Sequence, residues 1–135
     1  MTIREAAVAV LLDRFGCSAF HSGDAAEEIA IFPAAHPDVG DVVVSDDGDE
    51  ITVTVGSISH GHFNAFDLSP DQAAQRIAED VADFIESLFA GRVLLWKNRQ
   101  GSSGGWDTVA EGETPTRRAN VFNYLWTGPI AAQRD

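Results

Sequence analysis

The chain has 135 residues, enough for one domain with its own core, and its 44% hydrophobic and 22% charged residues place it among folding rather than disordered sequences. A formal net charge of −12 repels phosphate backbones and anionic lipid surfaces, which argues against nucleic acid and membrane as partners and favours basic proteins or cations. Cys17 is the only cysteine, which excludes an intrachain disulfide and a multi-cysteine zinc site, and no run approaches the ~18 apolar residues of a membrane span, so a soluble bacterial cytoplasmic domain is expected.

The first helix is announced by Thr2-Ile3-Arg4-Glu5, a capping box in which a hydroxyl and a carboxylate satisfy orphaned backbone N–H groups, and Gly16 stops it. Ile3, Ala7, Val10, Leu11 and Phe15 recur at helical spacing and predict one buried stripe. Ile29 to Phe32 reads as a first strand, closed off by Pro33 and Pro37. Asp41 to Ser45 and Glu50 to Ile58 are β-branched runs separated by Asp46-Asp47-Gly48-Asp49, the residue types of a tight hairpin turn. Alternation of Ile51, Val53 and Val55 with Thr52 and Thr54 gives that strand one core face and one wet face. His60 to Phe66 is either its continuation or another strand.

The second helix is expected from Ser69 to Phe89, opened by a Ser-Pro-x-Gln start and closed at Gly91. Its buried stripe is Ala74, Ile77, Val81, Phe84, Ile85 and Leu88, while Glu79, Asp80, Asp83 and Glu86 form an acidic ridge. Arg92 to Trp96 then reads as a strand buried on both sides, and Val121 to Trp126 as a final strand ended by Gly128-Pro129. Between them, residues 98–118 carry Gly101-Ser102-Ser103-Gly104-Gly105 and an acidic Gly/Pro/Thr-rich stretch without period, read as one long flexible loop. The order α-β-β-β-α-β-β over a single domain, 1–135, implies a two-layer α+β fold: a mainly antiparallel sheet of about five strands with two helices on one face.

Five features bear on function. His60 and His62, two apart on a strand, project to the same side and form a candidate zinc or other transition-metal chelate, with His36, His21 or Asp67 available as a third ligand; against it stands the commoner case of two ordinary polar histidines around a glycine bend. Gly101 to Gly105 matches the G-x-S-x-G nucleophile pattern at Ser103, but no helix pattern and no histidine follow, and Asp107 would repel phosphate, so neither a serine hydrolase nor a nucleotide loop is expected. Cys17 sits past a helix C-terminus, where a thiolate is disfavoured, and reads as idle despite His21 nearby. Asp46, Asp47, Asp49 and Glu50 lack the spacing of an EF-hand loop and read as a solvated turn. Trp96, Trp106, Trp126 and Tyr124 could line a groove, with Trp106 exposed on the long loop or anchoring it.

These readings favour a non-enzymatic interaction module in which Glu79, Asp80, Asp83, Glu86 and Trp106 bind a basic protein partner, resembling immunity or inhibitor proteins in composition alone. The rivals are a metal-binding protein or enzyme centred on His60 and His62, and a small-ligand or homo-oligomeric domain using the aromatic strands. No cofactor is implied by the first reading; zinc or a similar ion is implied by the second.

Overall fold

A computed structural model describes residues 1–130, and among them are two helices and eight strands. Helix α1, Ile3–Phe15, has the expected capping box: the Thr2 hydroxyl accepts the Glu5 N–H at 3.1 Å and the Glu5 carboxylate accepts the Thr2 N–H at 3.1 Å. The Thr2 backbone N–H first, and then the Thr2 hydroxyl, hold the Glu5 carboxyl below its ordinary pKa. The buried face of α1 is Ile3, Ala6, Ala7 and Leu11, with Val10 and Phe15 half-buried beside it. Helix α2, Pro70–Phe89, buries the six expected residues together with Ala78 and Ala82. Alanines on both helices are fully buried, and small side chains of this kind let α1 and α2 lie close against each other. Ser69 makes no capping bond to the helix backbone; its hydroxyl instead donates to Gln72 Oε1 at 3.1 Å, leaving Pro70 to set the start.

Four strands, β1 (Glu28–Phe32), β2 (Val42–Asp46), β3 (Ile51–Val55) and β4 (Ser59–Phe63), form an antiparallel meander in the order β1-β2-β3-β4. The β2–β3 turn is built as its residue types demand: Gly48 has φ +95°, its N–H donates to Asp46 Oδ1 at 2.9 Å, and the Asp47 N–H donates to the Glu50 carbonyl at 3.0 Å. Alternation then decides the faces. Val42, Val44, Ile51, Val53 and Val55 are fully buried, and burying such a side chain contributes roughly 1.5–3 kcal/mol each. Thr52, Thr54, His60 and His62 lie on the opposite, open face, with Thr52 opposite His62 and Thr54 opposite His60.

The second half forms another antiparallel sheet, β5 (Val93–Asn98), β6 (Gly104–Thr108), β7 (Val121–Leu125) and β8 (Gly128–Pro129), in the order β6-β5-β7-β8. Val93, Leu95, Tyr124 and Trp126 join the helices and the first sheet in one hydrophobic core. The α+β class with helices packed on a sheet therefore holds, but as two four-stranded sheets rather than one of about five strands. Residues 98–118 do not form one continuous loop. Gly104–Thr108 pairs with β5 from Val93 to Lys97, and Gly105 gives the Trp96 ring room on its neighbouring strand. Glycines with no β-propensity hide such a strand from a pattern reading. Of the remainder, residues 111–115 border the end of α2, and Arg118 lies 4.6 Å above the Trp96 ring and pairs with Asp107 at 2.8 Å.

Candidate functional site

The acidic ridge of α2 turns out to be engaged by the chain itself. Arg14 of α1 donates to Asp83 at 2.7 Å and to Glu86 at 3.0 Å, Arg76 donates to Asp80 at 3.3 Å, and Gln75 donates to Glu79 at 3.0 Å. The Arg14 guanidinium is held above its ordinary pKa, first by its hydrogen bond to Asp83. The ridge therefore clamps α1 to α2, and its charge is partly cancelled where it stands. Trp106 is not a loop tip. It is half-buried on β6, its ring stacked 4.2 Å from Phe84 and 6.5 Å from Phe63, so it serves the packing of α2 on the sheets.

His60 and His62 do share the open face of β4, with ring centroids 5.3 Å apart, and both are exposed. The third ligands expected for them lie elsewhere. His21 pairs with the Ser22 carbonyl, the His36 imidazole accepts the Asp38 N–H, and Asp67 lines a small cleft with Arg76 and Asp80. What gathers around His62 instead is Asp47 and Glu50, one donor atom from each of the three lying within 4.8 Å of the others. The Glu50 carboxylate is 3.6 Å from His62 Nδ1, and Asn64 donates to its other oxygen at 3.3 Å. Thr52 sits between them, its hydroxyl donating to Asp47 and lying 3.0 Å from His62 Nδ1. Hairpin register brings these residues together: the β3–β4 ladder fixes Thr52 opposite His62, and the β2–β3 turn delivers the two carboxylates to the same corner. Counting back from the Gly56-Ser57 turn would have revealed the pairing; motif spacing could not.

The other side of the same turn borders a cleft of about 580 Å³ between the first turns of α1 and α2 and the β4–α2 connection. Ile3, Ala65, Leu68, Ala74 and Ile77 give it an apolar floor, and Asp46 and Asp49 give it an acidic rim. Phe66 stands at its edge 68% exposed, and Met1 70% exposed. Large apolar side chains that lean out beside an apolar hollow are the usual mark of an interaction site. None of the sequence signals weighed for function fell on Ala65, Phe66 or Leu68.

Charge is distributed unevenly around this site. From Arg14 to Arg76 the intervening sequence contains no lysine or arginine, while aspartate and glutamate recur throughout, so the first sheet and its turns supply negative charge and no cationic side chain of their own. Arg92, Lys97, Arg99, Arg117 and Arg118 all belong to the second sheet and its connections. The serines of the G-x-S-x-G match close the β5–β6 hairpin, where the Ser102 N–H donates to Asn98 Oδ1 at 2.9 Å. Ser103 shares a shallow groove with His60, but among the described residues no hydrogen bond joins a serine hydroxyl to an imidazole, so no nucleophile–base pair is assembled. No helix among the described residues is long and apolar enough to cross a membrane. Comparison with family models, curated proteins and solved structures finds no match to this chain.

Proposed function

We propose that the chain is a non-enzymatic binding module that takes a basic protein segment bearing an apolar anchor, seated in the cleft between the α1 and α2 first turns. The observation that carries this reading is the conjunction of an apolar hollow, the exposed Phe66 at its edge, and the Asp46 and Asp49 carboxylates on its rim. An apolar anchor would bury the floor of the cleft and the Phe66 ring, which supplies affinity. The surrounding negative field would steer a cationic segment toward it and reject acidic competitors. The α2 ridge has a smaller part in this account, because Arg14 and Arg76 already occupy three of its four carboxylates, Asp80, Asp83 and Glu86.

The probe for this reading is a synthetic peptide of lysines around one central phenylalanine or leucine, titrated into the isotope-labelled chain. Amide shifts are expected to concentrate at Gly48, Ala65, Phe66 and Ala73. The same peptide with its apolar residue replaced by serine should bind more weakly, and charge reversal at Asp46 and Asp49 should remove most of the salt-dependent part. Shifts confined to Glu79–Glu86, or none at any residue, would sink the assignment.

A further inference from the structure

We infer that Asp47, Glu50 and His62 form a binding site for a divalent transition-metal ion at the corner of the first sheet, on the side of the β2–β3 turn away from the apolar cleft. Two carboxylates and one imidazole are a donor set of the kind that binds zinc, cobalt or nickel; the imidazole separates it from the all-oxygen sites that calcium and magnesium prefer. The donors come from different backbone segments yet already converge within 4.8 Å. Neighbouring ligands around a tetrahedral zinc ion lie about 3.3 Å apart, given metal–ligand bonds of about 2.0–2.2 Å. Glu50 Oε1 and His62 Nδ1, 3.6 Å apart, are close to that spacing. The rest of the closure falls to Asp47, exposed on the turn, where a rotamer change moves its carboxylate without disturbing the ladder.

A further feature favours a cation here. Among the described residues neither carboxylate has a lysine or arginine partner, and none exists nearby in sequence. Thr52 lies beside the group, its hydroxyl donating to Asp47 and standing 3.0 Å from His62 Nδ1, a contact that an ion bound at that nitrogen would replace. With an ion bound, the hydroxyl can still hydrogen-bond to a coordinating carboxylate. The chelate is therefore one imidazole with the turn carboxylates. His60, on the same strand, lies outside the group. The site shares no residue with the lining of the cleft, so different variants test the two readings.

The test is calorimetric titration of the chelator-treated full chain with Zn²⁺, repeated with Ca²⁺, and with Co²⁺ followed by absorption. One zinc ion per chain is expected. His62→Ala and Glu50→Gln, both outward-facing and checked for folding by circular dichroism, should each weaken zinc binding by about tenfold or more. His60→Ala and Cys17→Ser should leave it unchanged, and the cobalt spectrum should lack a thiolate charge-transfer band. Absence of stoichiometric zinc, calcium bound as tightly as zinc, wild-type affinity in both His62→Ala and Glu50→Gln, or loss of binding in Cys17→Ser would each overturn the site.

Discussion

The ring of Trp106 occupies the space that a side chain at position 61 would fill: a Cβ built on Gly61 falls 2.5 Å from the Trp106 six-membered ring. Gly61 belongs to β4 and Trp106 to β6, so this contact is where the two sheets meet, and Phe84 of α2 closes over the same ring. Gly61→Ala discriminates packing from propensity. In an extended strand, alanine alone would be favoured over glycine by up to about 1 kcal/mol. Against the indole it should instead cost about 1–3 kcal/mol, as overpacking does. Urea unfolding with tryptophan fluorescence measures the sign directly, and a stabilised variant would contradict the contact.

The Arg14 clamp makes a second prediction. Replacing Arg14 by Ala leaves Asp83 and Glu86 one helical turn apart without their shared cation, on the line where α1 meets α2. All three groups are partly exposed, so the expected loss is about 1 kcal/mol or less, and it should shrink as salt is added. Thermal melts at low and high ionic strength check this; a loss that does not depend on salt would mean that Arg14 acts through packing of its stem.

Asp107 gives an acid-range signature. The hydrogen bond from Arg118 holds its carboxyl below the usual carboxylate range. A folded pKa below the unfolded one stabilises the fold at neutral pH, and the contribution disappears as pH falls through the folded value. Asp107→Asn should therefore be less stable than the parent at pH 7, by under about 1 kcal/mol since both partners are nearly half-exposed, and the gap should close below about pH 3.9. Arg118→Gln should show the same convergence together with a constant deficit from the lost stacking on Trp96. A gap that stays the same down to acid pH would rule out the ion pair as its source.

Much of the fold could be read because local signals and tertiary structure agree. The Thr2–Glu5 box, the Ser69-Pro70 start and the alternation from Ile51 to Val55 each name one structure, and the chain adopts it. The β6 strand could not be read this way, since Gly104-Gly105 carries no strand preference and is held by its register against Lys97 and Trp96. The candidate sites were legible only in fragments. His62 and the acidic turn were each visible, but their meeting depends on the hairpin register, and Phe66 acquires meaning only when two helix starts and a turn frame the hollow beside it. Conversely, Asp83 and Glu86 looked free because their partner Arg14 lies on another helix.

The most direct test of the central claim is the affinity of the lysine-rich peptide with one apolar anchor, read by fluorescence anisotropy, for the parent chain, Phe66→Ser and Asp83→Asn. Phe66→Ser leaves the net charge untouched and removes the exposed ring beside the cleft, so it should weaken binding by about tenfold, the equivalent of ~1.4 kcal/mol. Asp83→Asn should change it little. Equal binding by Phe66→Ser and the parent, with the loss falling on Asp83→Asn, would contradict the account and return the site to the α2 ridge.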